Sequence, residues 1–90
     1  QASRVLTNGQ TEVWARKLYD GTTAVALYNR GPKSTRVTAG WKDLGIKGSQ
    51  PVRDLWQRKD LGNLNETLAF DVPQHGAILL KIGKPRRPAN

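Results

Sequence analysis

The last third of the chain alternates. Leu68, Phe70 and Val72 take one set of positions and Thr67, Ala69 and Asp71 the other. After Pro73-Gln74-His75-Gly76 the period returns, with Ile78, Leu80 and Ile82 against Ala77, Leu79 and Lys81. Successive side chains of a strand point to opposite faces, so two such runs around a Pro/Gly turn read as strands with one buried face each, joined as a hairpin. The same pattern recurs upstream. Thr35, Val37 and Ala39 alternate with Ser34, Arg36 and Thr38, and Arg4-Val5-Leu6 is a short run closed by Asn8-Gly9. Thr11 to Leu18 is β-branched and aromatic enough to favour a strand over a helix. No segment keeps a helical period. Short strands cut by turn residues at close spacing predict an all-β chain, an antiparallel sandwich of about seven or eight strands.

One strand departs from alternation. In "LYDGTTAVALYNR" the pair Asp20-Gly21 predicts a tight turn of type I′, and Thr23 to Asn29 returns from it. Ala24-Val25-Ala26-Leu27-Tyr28 is apolar without a break, whereas a strand with one wet face should alternate. Something must cover its second face. Further on, Trp41 to Ile46 reads as a looser stretch holding a short strand. Val52 to Trp56 reads as a bulged strand, because Val52, Leu55 and Trp56 do not share one face. The folded unit is expected over residues 1–82, followed by a Pro-rich basic tail or linker over 83–90.

The chain has 90 residues, no Cys, and no Met even at position 1, so a segment of a longer protein is expected. Without Cys, neither a disulfide framework nor thiolate metal chemistry is available. No apolar stretch approaches the ~20 residues of a membrane-spanning helix, and no membrane partner is expected. The formal charge of +8 raises the question of nucleic acid. The basic residues are scattered along the chain, with Lys84-Pro85-Arg86-Arg87-Pro88 the lone cluster, and scattered cations are solvated surface. No nucleic-acid partner is expected.

Catalytic chemistry finds little support. Asp54 and Asp60 flank Trp56, but nothing in their spacing brings two carboxyl groups to the ~5 Å that a retaining glycosidase needs. His75 is the single histidine and has no visible metal-ligand partners. Ser34 and Ser49 lie outside any nucleophile elbow, and Gly45-Ile46-Lys47-Gly48-Ser49 has the wrong order for a phosphate loop. No catalytic, metal or cofactor site is assigned. Trp14, Trp41 and Trp56 remain, serving either as packing or as sugar-stacking platforms. Trp14 shares a strand face with Glu12 and Arg16 and is expected away from the core; Trp41 and Trp56 are the sugar-binding candidates. Asn65-Glu66-Thr67 is a glycosylation sequon.

The fragments "TEVWARKLYDGTTAVALYNRG", "GWKDLGIKGSQPVRDLWQRKDLG" and "VPQHGAILLKI", in this order from Thr11 to Ile82, resemble the C-terminal domain of α-galactosidases of glycoside hydrolase family 27. The resemblance implies a Greek-key β-sandwich that follows a catalytic (β/α)₈ barrel in the same parent chain. The barrel's two aspartates hydrolyse terminal α-galactosides with retention, and neither falls in this sequence. It also implies a bracing role, no cofactor, carbohydrate met through the barrel, and a secreted or periplasmic parent. The second face of Ala24 to Tyr28 would then lie against the neighbouring domain, with Trp14, Ala24, Ala26, Tyr28 and His75 as interface candidates.

Overall fold

The computed structural model describes residues 2–86. Its eight strands are β1 (Ser3–Asn8), β2 (Thr11–Lys17), β3 (Thr23–Asn29), β4 (Thr35–Gly40), β5 (Gln50–Asp54), β6 (Lys59–Leu64), β7 (Thr67–Val72) and β8 (Gly76–Ile82), with one helical turn, α1 (Trp41–Leu44). Six strands form one sheet in the order β1-β2-β3-β8-β5-β6, and β4 pairs with β7 in a second. Every pairing is antiparallel. The connections β3–β4, β4–β5, β6–β7 and β7–β8 all pass between the sheets, so the fold is the expected β-sandwich, with unequal layers.

Alternation decides which side chains fill the space between them. Val13, Val25, Leu27, Val52, Leu80 and Ile82 of the large sheet meet Val37, Ala39, Leu68 and Val72 of the small one, all nearly or fully buried. Trp41 and Leu44 of α1 complete this core. The β4–β7 ladder places Val37 opposite Phe70 and Ala39 opposite Leu68, so the two expected sets of inward residues face the same layer.

Three local expectations are corrected, and one strand was not foreseen. The alternating runs around Pro73 to Gly76 do not pair with each other: β7 joins β4, while β8 inserts between β3 and β5. The turn carries the chain from one layer to the other. Trp41 to Leu44 is a helical turn and not a strand, closed by Gly45 in the left-handed conformation. Asp20-Gly21 is not a type I′ pair, since Gly21 has φ 87° and Asp20 is absent from the positive-φ residues. The Gly21 N–H donates to Leu18 O and the Leu18 N–H to Thr22 O, which is a three-residue loop ending on a left-handed glycine. Asp20 instead closes that loop by accepting from the Thr22 hydroxyl at 2.6 Å and its amide at 3.0 Å. Those bonds, and Lys81 at 3.2 Å, hold its carboxyl down to about 2. Finally, β6 has no counterpart in the alternation read from the sequence.

The segment from Gly83 folds back. The Gly83 N–H donates to Pro51 O, the Arg86 N–H to Asp20 O, and the Arg86 guanidinium to Tyr19 O. Residues 87–90 of the expected tail lie outside the described residues.

Asn29 is the buried polar tie between layers. Its Nδ2 donates to Lys33 O at 2.7 Å and to Val72 O at 3.0 Å, and its Oδ1 accepts from the Gly31 N–H at 2.9 Å. Gly31 packs closely beside it: a Cβ there would stand 3.2 Å from Asn29 Oδ1 and would push the exposed Gln10 side chain aside. Asn29→Ala removes three hydrogen bonds to the backbone, two of them buried. It is expected to lower unfolding stability by about 2–4 kcal/mol. Urea denaturation with an unchanged slope checks this.

Candidate functional site

The outward face of the large sheet supplies the candidate site. Register alone builds it. Trp14 pairs with Ala26, and Ala26 with Leu79. The Leu55 N–H donates to Leu79 O, extending the ladder one residue past β5. The result is an apolar row, Trp14–Ala26–Leu79–Leu55, running across four neighbouring strands. With Ala24, Tyr28 and Ala15 it lines a shallow groove of about 240 Å³. Leu79 and Leu55 are 40% and 41% exposed, which is high for leucines flanking a sheet centre.

Charged rows border the apolar one. On one side Arg16, Ala24, Lys81 and Arg53 fall in register. On the other lie Glu12, Tyr28 and Ala77. Glu12 organises that border. Its Oε1 accepts from Trp14 Nε1 at 3.0 Å, fixing the indole along its own strand, while Arg30 and Arg4 approach its carboxylate at 3.4 Å and 3.8 Å. The indole bond first, and then Arg30, hold the Glu12 carboxyl below its ordinary range. Arg30 also lies 5.9 Å from the centroid of the Tyr28 ring.

Of the interface candidates, Trp14, Ala24, Ala26 and Tyr28 come together in this groove. His75 does not. It stands exposed in the β7–β8 turn at φ 50°, its N–H donating to Gly31 O, at the end of the sheet beyond Tyr28. Of the sugar-stacking candidates, Trp41 is corrected to a core residue: it is 4% exposed and its indole N–H donates to Gly48 O at 2.7 Å. Trp56 is 84% exposed in the β5–β6 turn. Asp54 and Asp60 serve local structure. Asp54 accepts from the Trp56 and Gln57 amides, and Asp60 pairs with Arg53 at 2.7 Å. Leu55 and Leu79 are the members of the site that sequence reasoning missed. The usable signal was Leu79 itself, an apolar residue on the outward set of its own strand.

The family model for the α-galactosidase C-terminal β-sandwich domain matches residues 8–82. The chain belongs to this family. An Arabidopsis thaliana relative, α-galactosidase 2, is 36% identical over 84 residues, covering 91% of this chain and 21% of the relative. Among solved structures, α-galactosidase I of Mortierella vinacea superposes with a TM-score of 0.87 at 32% identity, covering 96% of this chain and 24% of that one. A β-L-arabinopyranosidase of Geobacillus stearothermophilus gives 0.89 at 31% identity, covering 100% and 21%. The chain therefore spans a fifth to a quarter of the length of these family members. No helix among the described residues is long and apolar enough to cross a membrane.

The Glu12–Trp14 contact can be read directly. The Trp14 indole proton resonance is expected to titrate with Glu12, at a midpoint below the ordinary value for glutamate. Because Arg30 favours the charged carboxylate, Arg30→Ala should move that midpoint upward. An NMR pH titration checks both the position and the direction.

Proposed function

We propose that this chain is the non-catalytic C-terminal domain of a longer α-galactosidase-type retaining glycoside hydrolase, and that it braces an upstream (β/α)₈ catalytic barrel. The observation that carries the reading is the open apolar row on the large sheet. A sandwich closes one face of each sheet by itself, and a wet outer face is ordinarily polar. Here the outer face puts two alanines and a leucine beside an oriented tryptophan. The alanines let a partner surface approach closely, and Trp14 offers the large rigid area typical of an interface anchor. Contiguous exposed apolar surface of this kind marks an interaction site. Residues 1–82 are the bracing unit in this reading, and hydrolysis of terminal α-galactosides belongs to the barrel. Export to the cell exterior or periplasm follows from the extracellular glycosides such a parent would meet.

Trp56 supports a second reading, a carbohydrate-binding module. An 84% exposed indole can stack on a sugar ring, but Trp41 cannot join it, so the platform is a single ring. Quenching of tryptophan emission by galacto-oligosaccharides, abolished in Trp56→Ala, would favour that reading.

The bracing role is tested by placing a charge in the row. Ala26→Arg on the free domain changes a half-buried position on the outward face and should shift its stability by about 1 kcal/mol or less. In the parent enzyme the same change leaves a charge unpaired in a closed interface. It should weaken docking by about 3 kcal/mol, read as a lower thermal inactivation temperature of the α-galactosidase activity. Equal effects in the two settings would remove the outer face from the interface.

A further inference from the structure

The basic residues are scattered in sequence but not in space. Lys17 ends β2, Lys47 follows α1, and Lys84 follows β8, yet all three line one cleft of about 280 Å³ at the β2–β3 turn end of the sandwich. Gly21, Gly45 and Gly83 also line it, with φ of 87°, 69° and 108°. Among the described residues, no carboxylate lines this cleft. Lys17 is held in place, its Nζ donating to Thr23 Oγ1 and to Gly45 O at 3.0 Å each. Arg86 lies beside Gly21, where its Nε would be 3.9 Å from an added Cβ.

Four of the seven carboxylates are held in ion pairs, and Asp43 and Glu66 line a separate cleft that Lys47 also borders. Among the described residues, Glu12 takes Arg4 and Arg30, Asp71 takes Arg36, Asp60 takes Arg53, and Asp20 takes Lys81. Lys17, Lys47, Lys84 and Arg86 belong to none of these pairs. Gathered cations that hold no ion pair of their own repel one another, and an anion placed among them relieves that repulsion. Tyr19, 99% exposed, stands in the same turn, and its carbonyl accepts from the Arg86 guanidinium at 2.9 Å.

We propose that this cleft is an anion-binding site for a sulfated or carboxylated polysaccharide, with Lys17, Lys47 and Lys84 contacting the acidic group and Tyr19 the adjoining sugar ring. The proposal takes from the bracing role only that the parent works among carbohydrates. It uses a different face of the domain, so either can fail alone. The cleft is a single concavity and not a track, which fits one acidic sugar unit better than a continuous phosphate backbone. Lysines suit this task as adaptable point charges.

The test is an NMR and calorimetric titration of the chain with dextran sulfate, with uncharged dextran, inorganic sulfate and duplex DNA as comparisons. Amide shifts at Gly21, Gly45 and Gly83 are expected with dextran sulfate and none with dextran. The triple variant K17Q/K47Q/K84Q should lose affinity by about tenfold or more, given the cost of removing three contacts to a polyanion. The variant K33Q/R58Q/K59Q, carrying the same change in net charge elsewhere, should lose less than about threefold. Circular dichroism confirms that both variants fold. Equal losses in the two variants would reduce the effect to net charge and overturn the site. Duplex DNA bound as tightly through the same lysines, or inorganic sulfate bound as tightly as the polymer, would overturn the polysaccharide assignment. Unchanged hydrolysis by the parent alongside a failed titration would remove this inference and leave the bracing role standing.

Discussion

The fold depends on the register of β3. All seven of its residues are paired on both sides, with Lys17 to Thr11 of β2 and with Ile82 to Gly76 of β8. A strand hydrogen-bonded along both edges cannot slip, and a shift of one residue would turn every side chain to the other face. Val25 and Leu27 are therefore fixed toward the small sheet, and Ala24, Ala26 and Tyr28 outward. The uninterrupted apolar run poses a physical demand: one half of it is met by the core, and the other half is left on the surface for a partner. β8 extends the same constraint. By lying between β3 and β5 it joins the N-terminal strands to the β5–β6 hairpin and brings Leu79 and Leu55 into line with Ala26 and Trp14.

What could be read from the sequence was what repeats with period two. The runs at 34–39, 67–72 and 76–82 announced their buried faces, and Trp14 was placed off the core by its neighbours Glu12 and Arg16. Pairing was not legible, because alternation states which side is buried and not which strand lies alongside. That is why the runs flanking Pro73 to Gly76 looked like a hairpin while belonging to different sheets. The helical turn at Trp41 to Leu44 is too short to show a period. β6 is an edge strand with Leu61 and Leu64 half-buried, and its Gly62 and Asn63 read as breakers. The role of Trp41 turned on a single acceptor, Gly48 O, seven residues away, which no pattern exposes.

Charge follows the same logic. A net +8 spread along 90 residues looked like ordinary solvated surface. Folding sorts part of it: Arg36 and Arg53 lie across the ladders from Asp71 and Asp60, and Lys17, Lys47 and Lys84 gather at the β2–β3 turn end. The two candidate surfaces thus arise from different causes. The apolar groove is a consequence of strand register, and the lysine cleft of where α1 and the segment after β8 return to the β2–β3 turn. One suits a fixed domain partner and the other a charged, exchangeable ligand.

Solvent labelling of the outer sheet face, compared between the free domain and the intact parent, tests the bracing role most directly. Hydroxyl-radical footprinting reads Trp14, Leu55 and Leu79 individually. A docked barrel should protect all three in the parent while leaving Tyr19, at the far turn, as reactive as in the free domain. Equal labelling of the row in both forms would mean that the groove stays open to water, and the outer face would then not be what holds the catalytic domain.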